Sequence, residues 1–379
     1  MTFQQHTLTL PGDAPGHSTT LYSYSIGPEA AETKVHLQAA LHADEQPGTM
    51  VLHHLLPMLR DADADGRLKA RFVVFPSVNP LGLATRVLRR HIGRYDLETG
   101  VNFNRRWPDL YPQIATALAG RLSADPQANI AAIRKAVGDW LDSQQPATAA
   151  QKLRLAVLKS AHDADIVLDL HCDDESLIHI FTSPEFLPGL QALADRMGAA
   201  ATLTAEDSGG GSFDEVLPGL YRKAQLANPG FPIPMGAETA TLEYRGQADT
   251  HDQTGIADAQ GLFDFFADRG LVRASTVPAS PAPGPTPFEA TEVLRADRPG
   301  LLAYRVSLGD RVKKGDIVAD LIAMDGPQAF LARTPIRAGT DGFILSRASA
   351  KYAVTGSSVA KIVGTEILPT RAGGYLLED

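Results

Sequence analysis

The sequence holds a single cysteine, Cys172, among 379 residues. An intramolecular disulfide framework and a thiolate metal cluster are therefore excluded, and any metal must be held by His, Asp or Glu. Positive charge is also short, with 35 Lys and Arg against 44 Asp and Glu and a net charge of -9. Phosphate neutralisation needs clustered cations, so no nucleic-acid partner is expected. No run of about 18 uninterrupted apolar residues occurs, and the N-terminal MTFQQHTLTL has no basic region leading into an apolar one. The expectation is a soluble, cytoplasmic protein without a membrane partner. Aromatics are sparse at 7%, whereas Gly and Pro are plentiful at 33 and 26, which suits a loop-rich α/β chain.

The clearest boundary is STVPASPAPGPTPFEA, residues 275–290, whose five prolines leave no room for a helix or a central strand. It reads as a stiff linker. Upstream, apolar runs alternate with helix-length periodic segments, as in a sheet with helices on both faces. Val35–Leu41, Arg71–Phe75, Asp165–Leu170 and Ala237–Tyr244 read as strands. Pro47–Arg60, Lys152–His162 and Gly255–Ala267 read as helices, and the Ala-rich stretch from Ile114 to Gln151 as a helical excursion. Downstream of the linker, short β-type segments punctuated by Gly suit a small all-β sandwich or barrel.

Four elements carry chemistry. His42 and Glu45, in L-H-A-D-E-Q-P-G, stand between a strand and a helix, where α/β sheets place ligands. Alone, such a pair also suits a solvated surface turn. His171 ends the run A-D-I-V-L-D-L-H, as a half-buried core histidine or as a ligand at the sheet edge. Taken together, His42, Glu45 and His171 make two imidazoles and one carboxylate, which leaves a fourth zinc position open, the composition of a catalytic site. Between Val78 and Asp109 an irregular loop contains Arg86, Arg89, Arg90, Arg94, Arg105 and Arg106. Arg105 beside Asn104 could grip a carboxylate, while Arg86, Arg89 and Arg90 read as partners of surface carboxylates. Finally, A-E-T-A-T-L-E-Y-R-G ends a strand on Glu243, with Thr239, Thr241 and Glu243 on one face and Glu238 off it. A carboxylate at that tip is placed for general acid–base work, with Glu238 as the competitor.

The ordered set H-A-D-E, N-P-x-G, N-F-N-R, D-L-H and L-E-Y-R-G resembles the zinc carboxypeptidase-like superfamily, in particular its succinylglutamate desuccinylase/aspartoacylase group. The resemblance implies an α/β fold with a mixed sheet covered on both faces. It also implies one zinc ion per chain held by His42, Glu45 and His171, with Glu243 as general base and acid. Asn104 and Arg105 would clamp a substrate carboxylate, and Arg94 would stabilise an oxyanion, with Arg90 as the alternative. The expected organisation is a zinc-dependent amide hydrolase domain over 1–275, a linker over 276–289 and a β-barrel-like cap over 290–379.

The expected substrate is a small, carboxylate-bearing amide. The acidic residues Asp173, Asp174 and Glu175, with Asp207, Asp214 and Glu215, would favour a cationic group elsewhere on it. A β-aspartyl dipeptide such as β-Asp-Arg or β-Asp-Lys fits that reading. An N-acyl amino acid and a non-catalytic metal-binding role are the alternatives, and homo-oligomerisation stays open. The tail resembles a biotinyl/lipoyl-like barrel, but no Lys occurs between Lys314 and Lys351, where a carrier would need one. A structural cap is expected instead.

Overall fold

Unbroken apolar stretches form the centre of a mixed sheet, because strands covered on both faces need no polar alternation. The computed structural model describes residues 2–12, 14–373 and 375–376. The chain begins β1 (Gln4–Pro11), β2 (Ser18–Ile26), β3 (Lys34–Ala39), α1 (Pro47–Ala64), β4 (Arg71–Phe75), α2 (Pro80–Leu83) and the hairpin β5 (Arg86–Val87) and β6 (Arg90–His91). It continues α3 (Tyr111–Leu118), α4 (Pro126–Ser143), α5 (Ala149–Ala161), β7 (Ile166–Asp173), β8 (Glu175–Ser176) and β9 (His179–Thr182). Then follow α6 (Leu187–Met197), β10 (Ala201–Thr204), α7 (Val216–Ala227), β11 (Glu238–Gly246), α8 (Asp252–Asp268) and β12 (Thr286–Pro287).

The nine-stranded sheet has the order β1-β2-β4-β3-β7-β11-β9-β10-β12. Strands β4, β3, β7 and β11 are mutually parallel, so β3, β7 and β11 deliver their C-terminal ends to one edge. Strand β9 runs antiparallel to β11. Helix α1 buries Val51, Leu52, Leu55 and Leu59, the i, i+4 stripe of an amphipathic helix, beneath one face. There they meet Phe265 and Phe266 of α8, and each such side chain contributes about 1.5–3 kcal/mol by leaving water. Helices α3, α4, α5 and α7 cover the other face. The Ala-rich excursion is thus three helices, divided where Asp125 caps α4 and a Thr148–Gln151 capping box opens α5. Among the described residues no helix is long and apolar enough to cross a membrane.

The Pro-rich stretch lies along the main body. Arg196 Nη1 donates to Val277 O (2.6 Å) and Ala282 N to Asp195 Oδ1 (2.8 Å). Its end departs from the expected linker, because Thr286–Pro287 pairs with β10 and Phe288 is buried. Pro287 is tolerated because β12 is the edge of the sheet.

Beyond it come β13 (Thr291–Arg295), β14 (Gly300–Tyr304), β15 (Arg311–Val312), β16 (Ile317–Ile322), β17 (Arg333–Arg337), β18 (Gly342–Arg347), β19 (Tyr352–Ala353) and β20 (Ser358–Val363). They form two antiparallel sheets, β13-β20-β18-β15 and β17-β16-β14-β19, around a core that includes Leu302, Val318, Leu321, Ile344 and Ile362. Strand β8 of the main body pairs with β18, joining the first of these sheets to the segment that follows β7.

Candidate metal centre

After β3 the chain turns at Ala40, whose φ of 57° is a left-handed conformation. This costs about 1–2 kcal/mol for an L-residue. The turn is held because Asn79 Nδ2 donates to Leu41 O (2.8 Å) and Ala43 N to Gly93 O (3.1 Å). Two close approaches need glycine. A Cβ on Gly93 would lie 2.7 Å from Ala43 Cβ, and one on Gly48 would lie 2.8 Å from Leu170. Gly93 thus lets the Arg94 loop rest on the His42–Glu45 turn, and Gly48 seats α1 against β7.

These approaches bring together His42, Glu45 and His171, all at most 3% exposed, with ligand atoms within 4.8 Å of one another. Glu45 Oε1 lies 2.9 Å from His42 Nδ1, and Oε2 lies 2.8 Å from His171 Nδ1. Asn102 Oδ1 accepts the backbone N–H of Asn104 (2.8 Å), which identifies it as the amide oxygen, and it lies 2.7 Å from His42 Nε2. Nε2 is therefore the protonated nitrogen, and Nδ1 turns a lone pair towards Glu45. Two acceptors this close require a cation between them. In this structure Arg94 Nη1 supplies one, 2.9 Å from Glu45 Oε1 and 3.1 Å from His42 Nδ1. Two imidazoles and a carboxylate, with one ring held from behind by an amide oxygen, form a donor set that suits zinc.

Electrostatics agree with a site made for positive charge. Burial opposes the Glu45 carboxylate, but the imidazoles of His42 and His171 outweigh it and hold Glu45 well below the usual range. Burial likewise opposes a charged His171, yet Asp169 and Glu45 hold its pKa well above the ordinary value. Asp169 Oδ2 stands 3.0 Å from His171 Nε2, too oblique for a full hydrogen bond. His42, without such a second carboxylate, is pushed down by burial.

Glu243 sits directly across from His171 in the β11–β7 register, and Thr239, Thr241 and Glu243 all line one pocket of about 120 Å³ with the three residues above. Part of its side chain faces the pocket, but Oε2 is sealed from solvent without a hydrogen-bond partner. Burial, and then the charge of Glu45, push its pKa up to about 8. Glu238 points elsewhere and pairs with Arg269, which caps the C-terminus of α8 (2.6 Å). Asn104 and Arg105 also line the pocket. Asn104 Oδ1 accepts Phe213 N (2.8 Å), which ties down the end of the Gly-rich stretch SGGGS, residues 208–212. Arg94 lines the pocket too, whereas Arg86, Arg89 and Arg90 lie on the exposed β5–β6 hairpin and pair with no carboxylate among the described residues.

The acidic cluster is divided. Asp173 pairs with Lys361 (2.6 Å), Asp174 accepts from Ser349 Oγ (2.8 Å), and Glu175 pairs with Lys351 (2.6 Å) and Arg347 (2.9 Å). All three contact the C-terminal region. Asp174 and Glu175 do not line the pocket, which corrects the expectation that those two select a cationic substrate, whereas Asp173, paired with Lys361, does line it. Asp214 and Glu215 do line the pocket, with Glu206, while Asp207 is exposed outside it. Burial raises both Asp214 and Glu215, the latter to about 7 with Asp214 as the next cause. Sequence reasoning missed Asn102, Asp169 and Lys361. Period-two spacing from Asn104 and His171 could have pointed to the first two.

Residues 31–216, just under half of the chain, match the family model of the succinylglutamate desuccinylase/aspartoacylase catalytic domain. No curated protein matches the sequence. Among solved structures, the chain is similar to a succinylglutamate desuccinylase/aspartoacylase from Shewanella frigidimarina, at 22% identity and a TM-score of 0.82, covering 96% of this chain and 97% of that one. It is similar to a protein of the same family from Shewanella amazonensis, at 23% identity and a TM-score of 0.82, covering 95% and 98%. The product-bound ectoine utilization protein EutE (DoeB) from Ruegeria pomeroyi aligns at 17% identity and a TM-score of 0.68, covering 96% and 95%. At these identities the likeness is one of fold. The family match thus assigns residues 31–216 to the succinylglutamate desuccinylase/aspartoacylase catalytic-domain family.

Proposed function

We propose that this protein is a zinc-dependent hydrolase of an amide bond in a small, carboxylate-bearing substrate. The observation that carries the reading is the convergence of His42, Glu45 and His171 beside the unpartnered carboxyl of Glu243 in one pocket. Zinc held by the first three would supply a Lewis acid that acidifies water and polarises a carbonyl. Glu243 takes a proton from the attacking water and returns it to the departing amine, leaving a carboxylic acid and a free amine. Arg94, beside Glu45, offers its guanidinium to the oxygen that gains charge as the carbonyl is attacked. Arg105 and Asn104 orient a substrate carboxylate, and the family's deacylase-type chemistry supports this assignment.

For the substrate, the best reading is a β-aspartyl dipeptide such as β-Asp-Arg or β-Asp-Lys. It is supported by Glu206, Asp214 and Glu215, three pocket carboxyls that a bound guanidinium or ammonium would neutralise. The second reading is an N-acyl amino acid, favoured by the family match. Phe288, Val293, Lys361 and Leu376 add a wall from beyond β11, so the C-terminal sheets act as a cap that narrows the pocket. The test is to assay zinc-loaded protein on β-Asp-Arg, N-acetyl-amino acids and N-succinyl-amino acids. Cleavage of the acylated set alone would remove the dipeptide reading, and no cleavage of any would favour a non-catalytic metal-binding role.

A further inference from the structure

The strand ends that carry His171 and Glu243 lie where the main sheet loses its regularity. The β7–β11 ladder runs in register through Glu243 and His171, then shifts before Gly246 meets Asp173. Within that shift Arg245 adopts a left-handed φ of 63°. A strained backbone persists only where its surroundings hold it. On one side, Arg245 pairs with Asp258 of α8 (2.6 Å). On the other, the C-terminal sheet takes over: β18 pairs with β8, and Lys361, Ser349, Lys351 and Arg347 engage three consecutive carboxylates immediately after Cys172.

Lys361 differs from the other contacts. It holds the carboxylate closest to His171 in sequence, it lines the pocket, and its side chain is 16% exposed against 15% for Asp173. Lys351, at 39% exposed, holds Glu175 farther along the chain. Val293, paired with Lys361 across β13 and β20, lines the same pocket.

We infer that the C-terminal sheet is a splint for these strand ends, with Lys361 as a positioning residue that sets His171 and Glu243 through Asp173. This rests on the reading of His171 as a metal ligand, and the test is therefore made on metal binding as well as on turnover. Removing Lys361 alone would leave the charge of Asp173 uncompensated and thereby attract a cation, opposing any loss from misplacement. The charge-balanced double variant Asp173→Asn/Lys361→Met cancels that effect.

Zn²⁺ affinity is measured by competition with a chromogenic chelator, and kcat and KM on whichever substrate the wild type cleaves. The double variant should bind Zn²⁺ about tenfold more weakly or worse, the loss typical when outer support of a ligand is removed. Its kcat should fall more than its KM rises, whereas Lys361→Arg alone, which keeps the ion pair with Asp173, should retain most of both Zn²⁺ affinity and turnover. Lys351→Ala, at the same docking surface, should stay within about twofold of wild type in Zn²⁺ affinity. Wild-type Zn²⁺ affinity in the double variant would overturn the inference, as would an equal loss in Lys351→Ala, which would mark a docking role alone. Should the double variant fail to fold, Asp173→Glu keeps the charge and adds one methylene. A clear loss of Zn²⁺ affinity there supports the splint, and no loss overturns it. Absence of hydrolysis in the wild type would count against the proposed function, while the Zn²⁺ comparison would still decide this one.

Discussion

Exchanging Glu243 for Gln should separate what this carboxyl does for catalysis from what it costs the fold. The two side chains are nearly isosteric, and Oε2 has no hydrogen-bond partner to lose. Folding raises the Glu243 pKa from 4.5 to about 8, chiefly by burial. At about 1.4 kcal/mol per pH unit, and discounted for the part of the side chain that pocket water screens, ionising it in the folded protein costs on the order of 2–4 kcal/mol. A raised carboxyl pKa means that the folded state binds the extra proton. The stability it confers is complete below about pH 4.5 and is lost as pH rises through about 8. In chelator, where both chains are metal-free, wild type and Glu243→Gln should be equally stable near pH 4, below the unfolded-state pKa. The variant should be the more stable by that amount near pH 9. Urea unfolding across this range measures the difference. Turnover of the zinc-loaded variant should fall by about 10²–10⁴, with Zn²⁺ content unchanged. A wild type as stable as the variant at pH 9 would refute the buried-carboxyl argument, and retained turnover would refute the assigned base.

Other expectations follow from single contacts. Prolonged chelation should abolish hydrolysis and stoichiometric Zn²⁺ restore it, whereas activity that survives verified metal removal would exclude a metallohydrolase. Asn102→Ala removes the oxygen that receives His42 Nε2–H and should weaken Zn²⁺ binding about 10–100-fold, read by chelator competition; unchanged affinity would show that the ring needs no such support. Phe266→Ala empties a fully buried position between α8 and the sheet and should cost about 3–5 kcal/mol in denaturant unfolding. A loss below about 1 kcal/mol would mean that the core collapses around the gap.

Strand β4 occupies the Arg71–Phe75 read from its apolar run, and β3, β7 and β11 lie within a few residues of their expected bounds. Such runs are local, and so were the turn that displayed His42 and Glu45 and the strand ends that carry His171 and Glu243. What stayed hidden depends on distant partners. Lys361 meets Asp173 from 188 residues away, and no periodicity around either residue announces the pair. Asp173 and Glu175 consequently looked available to substrate when cations of the C-terminal region already matched their charges. Likewise, β12 is two residues long and is a strand only because β10 lies beside it. Asn102 and Asp169 were within reach of alternation, but hydrophobic patterning does not distinguish a polar side chain that supports a ligand ring from one that faces solvent.

The position of Pro287 bears on what the molecule avoids. It occupies the outermost strand of the large sheet, at the end opposite β1. A proline offers no amide hydrogen there, and its partner Thr286 is the only other rung of β12. An extended segment from another molecule approaching that side would find almost no ladder to extend. The same short strand that leads into the cap therefore protects this margin against edge-to-edge association, a safeguard that matters most when the protein is concentrated and newly folded.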